Sequence, residues 1–214
     1  MAALALPLAA VAAPAHAAEP KCVVNGFSPR TVVLGLSPKA VTVKPSVSGC
    51  DLEAWAVLGE SFGTFDDQEK SVFEAFDNRE TAAQDVVVHA LNPDYAEAVK
   101  VFKDAFRLKR NTIWDKVNAS PEPVRKGSKI TVKARLRVAD WSHDEYDGYT
   151  SRTVDLQTRT PNGSYRTVKS VKTGSGGNVS TTVTASADAC YRFVYGGNSI
   201  AGGSSSTGDS VDVR

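Results

Sequence analysis

The sequence predicts an all-β chain of two tandem antiparallel β-sandwich domains, and three observations lead there. From Lys129 onward, apolar and polar residues alternate with the period of a half-buried strand, and the pattern recurs at short intervals to the C-terminus. Turn residues separate one run from the next. The segment Asn118-Ala-Ser-Pro-Glu-Pro-Val-Arg-Lys-Gly127 holds two prolines and a closing glycine, which excludes a long helix and marks a boundary.

The C-terminal half is the more legible. In Lys129–Asp140, Ile130, Val132, Ala134, Leu136 and Val138 share one face, while Thr131, Lys133, Arg135 and Arg137 share the other, expected to meet solvent. Thr153–Arg159 and Tyr165–Lys172 form a hairpin around Pro161-Asn-Gly163. After the turn Gly174–Asn178, Val179, Thr181, Val183 and Ala185 alternate inward, as do Tyr191, Phe193 and Tyr195 in Asp188–Tyr195. Tyr191 follows the corner at Asp188, where a sandwich commonly places a tyrosine. Ser210–Arg214 is the last strand, and no helix intervenes.

In the N-terminal half, β-branched and aromatic content marks Thr31–Leu36, Ala40–Val47, Leu52–Leu58, Ser71–Phe76, Asp85–Ala90 and Phe106–Lys109 as strands. Two segments fit helix as well as strand: Asp66–Ala83, and Pro93–Arg107, where Tyr95, Val99, Phe102 and Phe106 fall on one helical face. Strands are the expectation, by analogy with the second half. The divisions are a signal peptide at 1–17, one domain at 22–110 and another at 111–214.

The opening stretch is apolar, alanine-rich and uncharged, and it ends Ala15-His16-Ala17, a small-x-small signal for cleavage before Ala18. A secreted, extracellular protein is therefore expected. Glu19-Pro20-Lys21 before Cys22 lacks the small residues of a lipid-attachment signal, so no membrane anchor is expected. Of the three cysteines, Cys22 and Cys50 share a half and are expected to be bridged, contributing roughly 3–4 kcal/mol on the chain-entropy account. Cys190 is expected to be a free, buried small hydrophobe. Residues 22–109 carry 9 basic and 13 acidic side chains, and 110–214 carry 15 and 10, so the halves differ in sign at −4 and +5.

The stretches Asn118–Val124, Asp155–Arg159, Tyr165–Lys169 and Gly208–Val213 make the region from about Trp114 to Arg214 resemble the immunoglobulin-like domain of secreted actinobacterial proteins. The resemblance implies an immunoglobulin-like sandwich and an extracellular setting. It implies no activity, although some relatives carry a calcium-binding label.

No catalytic, cofactor-binding or metal-binding residue is assigned, and a non-catalytic extracellular binding, adhesive or structural role is expected. Three local patterns define the alternatives. Asp140-Trp-Ser-His-Asp-Glu-Tyr-Asp-Gly148 is the densest acidic run, and Asp140, Asp144, Glu145 or Asp147 would serve a calcium site, although the spacing is not that of an EF-hand. Gly59-Glu-Ser-Phe-Gly63 has the spacing of a hydrolase nucleophile elbow. Only His89 and His143 remain after the leader to serve as its base, no oxyanion loop accompanies it, and the turn reading carries more weight. Lys133, Arg135 and Arg137, with Arg159, Arg166, Lys169 and Lys172 on the following hairpin, would form a basic stripe across one sheet. Such a stripe suits an anionic cell-wall polymer or polysaccharide, or extracellular DNA, and no intracellular nucleic acid is expected as a partner. No aromatic residues interleave with these charges as stacking platforms, so an ordinary solvated face is the stronger reading.

Overall fold

The computed structural model describes residues 22–65, 70–93 and 97–214. The leader, its cleavage site at Ala18 and the segments 66–69 and 94–96 lie outside the described residues. The chain is all-β, with its sheets packed around two separate hydrophobic cores.

The N-terminal half runs β1 (Val23–Ser28), β2 (Thr31–Leu34), β3 (Lys39–Val41), β4 (Lys44–Ser48), β5 (Ala54–Gly59), β6 (Phe62–Phe65), β7 (Ser71–Phe73), β8 (Gln84–Leu91) and β9 (Glu97–Arg110). One sheet has the order β2-β9-β8-β5-β6, and the antiparallel pairs β1-β4 and β3-β7 close the core against it. Phe62, Phe73 and Phe106 meet at its centre, with ring centroids 4.6–5.5 Å apart. Cys22 and Cys50 are bridged, which commits the Cys22 sulfur, and Cys190 is free and buried.

The C-terminal half continues with β10 (Thr112–Trp114), β11 (Asn118–Ser120), β12 (Lys129–Asp140), β13 (Glu145–Gly148), β14 (Thr153–Arg159), β15 (Arg166–Lys172), β16 (Asn178–Thr184), β17 (Ala189–Tyr195), β18 (Ser204–Ser205) and β19 (Asp209–Val211). β12 is the spine of one sheet, with β10 and β11 on one edge and β13 and β16 on the other. The opposing sheet is β15-β14-β17, with β18 and β19 on the far edge of β17. Ile130, Val132, Leu136 and Val138 face Val154, Leu156, Phe193 and Tyr195 in the core, as alternation predicts.

Both halves open with the same device. β1 pairs antiparallel with β4, Pro29 interrupts it, and β2 then pairs in parallel with β9 from Thr31↔Arg107 to Leu34↔Arg110. Similarly, β11 pairs antiparallel with β12, Pro121 and Pro123 interrupt it, and Val124 bridges Val213 in parallel. Proline lacks the N–H a ladder needs, so the chain leaves one sheet there and joins the other.

The structure settles both ambiguous segments within the described residues. Residues 97–110 are strand: Phe102 and Phe106, four apart, share a face in a helix or a strand alike, but Val99 points outward. Within 66–83, β7 and a 3-10 turn at Asn78–Thr81 replace a helix. The expectation that Arg135 and Arg137 stand free in solvent is corrected. Arg135 is half-buried and donates from Nε to Gly176 O at 2.7 Å, and Arg137 pairs with Asp115 at 2.7 Å.

Phe193 is fully buried and stacks on Trp114 at 5.7 Å, so Phe193→Ala is expected to destabilise by about 3–5 kcal/mol. Arg135→Ala, which removes one hydrogen bond, should cost about 1 kcal/mol. Urea denaturation of both variants checks the order, and the reverse order would refute the register of β12.

Candidate binding face

The five-stranded sheet turns its outer face to solvent, and that face is apolar. Along β8, Gln84, Val86, Val88 and Ala90 are buried, so Asp85, Val87, His89 and Leu91 point outward. Pairing registers them with β5 and β9 in three rows: Ala54–Leu91–Glu97, Ala56–His89–Val99 and Leu58–Val87–Val101. Seven of the nine are apolar, and Val99 and Val101 are 52% and 51% exposed. At ordinary strand spacings the grid covers roughly 300 Å², the scale of the largest patch on a typical monomer, often a functional one. A groove of about 510 Å³ lies over it, bordered by Ala54, Ala56, Leu58, His89, Leu91 and Glu97.

Two polar pairs bound the grid. His89, in its middle row, has Nδ1 2.6 Å from Glu97 Oε1. Beyond Val101, Lys103 Nζ lies 2.5 Å from Asp85 Oδ2. The Lys103 hydrogen bond holds the Asp85 carboxyl below the usual carboxylate range, and the Asp104 N–H adds to it.

The acidic run Asp140–Gly148 is brought to the junction between the halves. Asp77 caps the turn at Asn78–Thr81, accepting from Arg79 N and pairing with its guanidinium, which holds the Asp77 carboxyl down at about 2. The capped turn presents Asn78, whose Nδ2 donates to Asp140 Oδ1 at 2.8 Å and whose Oδ1 accepts from Trp141 N at 3.0 Å. Asp140 Oδ1 also accepts from the N–H groups of Ser142 and His143. Trp141 is buried in the first core and donates from Nε1 to Gly35 O at 2.9 Å. A Cβ at Gly35 would lie 3.0 Å from Tyr146 Oη, a tight approach that the tyrosine would have to yield to by a few tenths of an ångström. Asp140 is thus engaged in a latch, and among the described residues no group of three His, Cys, Asp or Glu side chains converges to hold a metal. Nothing in this geometry supports the calcium alternative.

The other sequence patterns are also placed. Gly59–Gly63 spans the hairpin between β5 and β6, with Ser61 Oγ accepting from Gln84 Nε2 at 2.8 Å. A nucleophile elbow leads into a helix, and here a strand follows. His89 lies opposite Ala56, three residues along from Gly59↔Val86, or roughly 10 Å. The basic stripe is corrected: Lys133, Arg135 and Arg137 lie on β12, whereas Arg159, Arg166, Lys169 and Lys172 lie on β14 and β15 of the opposing sheet. Lys169 alone reaches across, to Thr182 O at 3.0 Å.

The outer face had a signal in the sequence. Val86, Val88 and Ala90 satisfy the core, yet Val87 and Leu91 of the opposite parity are apolar too, and a strand apolar on both faces is one prepared to be covered twice.

No family model matches the chain, and no curated protein matches it in sequence. Among solved structures it is similar to the fibronectin(III)-like modules of Clostridium thermocellum CbhA, at 12% identity and TM-score 0.42, over 90% of this chain and 93% of that one. It is also similar to the D00-D0 domain of intimin, at 10% identity and TM-score 0.33, over 87% and 98%. Similarity at this level is silent on function.

Burial pushes the Asp140 carboxyl up, but the hydrogen bonds from Asn78 and His143 outweigh it and hold the group below its ordinary value. A carboxyl depressed in the folded state contributes stability above its unfolded value, about 3.9, and that stability is lost as pH falls through the folded value. Melting temperature should therefore drop more steeply below pH 4 in the wild type than in Asp140→Asn. Parallel acid profiles would show that Asp140 is not linked to folding.

Proposed function

We propose that this chain is a non-catalytic extracellular binding module, with domains at 22–110 and 111–214, whose contact surface is the outer face of the β5-β8-β9 sheet. The apolar grid carries this reading. Six of the seven, all but the buried Ala56, keep part of their surface in water, which is unfavourable unless something covers them. The Cys22–Cys50 bridge supports an oxidising compartment outside the cytosol. Ser61, the residue on which a hydrolase reading depends, is hydrogen-bonded in a hairpin turn. Polysaccharide of the cell wall remains the partner class to test first. The grid would take the apolar faces of sugar rings, and the His89–Glu97 pair would supply hydrogen bonds at its centre.

Co-sedimentation of the full chain with peptidoglycan-rich cell-wall material tests the reading. Val99→Lys/Val101→Lys should reduce retention about tenfold, while the melting temperature stays within a few degrees because both positions are half exposed. Unchanged retention would remove the face from the account, and ester hydrolysis abolished by Ser61→Ala would replace it with the hydrolase.

A further inference from the structure

The outer face ends at an unfinished edge. β8 pairs with β9 on one side from Glu97 to Phe106, and β2 occupies the other side only from Arg107 to Arg110. Among the described residues, no strand pairs with the second side of β9 from Glu97 to Ala105. Its backbone N–H and C=O groups on that side are open to a further strand.

We propose that a second copy of this chain supplies it, by antiparallel pairing of β9 with β9 of the partner about a twofold axis at Lys100. The outward residues of this edge read Glu97, Val99, Val101 and Lys103, which is acid, apolar, apolar, base. Run antiparallel against itself in that register, the segment sets each Glu97 opposite a Lys103 and each Val99 opposite a Val101. Cross-strand pairs of these kinds stabilise a sheet, while like charges in the same places oppose it. A register shifted by two residues loses both ion pairs and puts Val99 or Val101 against a charge. Glu97 and Lys103 are 52% and 76% exposed at their side chains, so both are accessible to a partner.

Lys100 faces its own copy at the axis. Its Nζ is turned away from the ladder to Val24 O at 3.0 Å and stands 5.1 Å from the centroid of the Phe102 ring, which draws the charge into its own half. Seven residues of ladder make a small interface of the reversible class. A twofold axis normal to the sheet keeps both outer faces on one side. The two grids then form a single apolar surface of roughly 600 Å². The inference rests on the reading of this face as the contact surface and adds how the face is completed.

Sedimentation equilibrium of the full chain, from about 1 µM to 1 mM to cover the reversible range, reads the association. The wild type should form a reversible dimer. Glu97→Lys and Lys103→Glu should each weaken it about tenfold by setting like charges opposite at both ends, and the double exchange should restore it to within about threefold. Val99→Lys should weaken it without altering the melting temperature of the monomer. A wild type that stays monomeric throughout overturns the inference, as does a dimer indifferent to the single exchanges or a double exchange no better than the singles. Retention on cell-wall material separates the two claims: a monomer that is still retained loses only the inference, and a dimer that is not retained loses the binding reading.

Discussion

One residue, Asn111, separates β9 from β10, and its backbone and its side-chain amide nitrogen are hydrogen-bonded to both sides of the junction. Its N–H donates to Leu34 O at 2.8 Å, its C=O accepts from Ala139 N at 2.9 Å, and its Nδ2 donates to Tyr146 Oη at 3.0 Å. Arg110 beside it donates its N–H to Ile200 O and accepts from Gly202 N, while its guanidinium reaches Ala139 O. Gly202 makes that approach possible, since a Cβ there would stand 2.8 Å from Val33. A hinge needs linker groups that can exchange partners with water, and these have fixed partners in the two halves they join. The strand from Glu97 to Trp114 therefore passes through both sandwiches as one rigid member.

The same constraint explains how the long strand β12 ends. Alternation holds from Lys129 to Val138 and then fails, because Ala139, Asp140 and Trp141 are all buried. There the strand leaves its own sandwich, and Ala139 and Trp141 pack into the first core. Asp140 lies between two apolar neighbours and is held as an anion by the Asn78 amide, two backbone N–H groups and the His143 side chain, whose Nδ1 is 3.3 Å away. An acidic residue chosen by that geometry looks in sequence like one ligand of a cation site. In the folded chain it is a fastening between the turn at Asn78–Thr81 and the end of β12.

Legibility followed solvent. β12, β14 and β17 each bury one face and wet the other, so period-two alternation gave their bounds to within a residue. β1, with Val24 and Phe27 buried across an irregular register, carries no such period, and β13, four residues long with none of them buried, is too short to display one. The Cys22–Cys50 bridge was readable because both cysteines share a half. Asn78, Gly35 and Trp141 were not readable as a group, since only the fold brings together positions 35, 78 and 141. The basic stripe failed for a related reason: alternation gives the face of each strand and does not say which sheet the next strand joins.

The interlocked junction requires the two sandwiches to unfold as one body, and differential scanning calorimetry of the intact chain tests this directly. The interlock predicts a single transition whose calorimetric and van't Hoff enthalpies agree, and a Trp141→Ala variant in which that transition splits or broadens. Two separate transitions in the wild type, unaltered by Trp141→Ala, would contradict it.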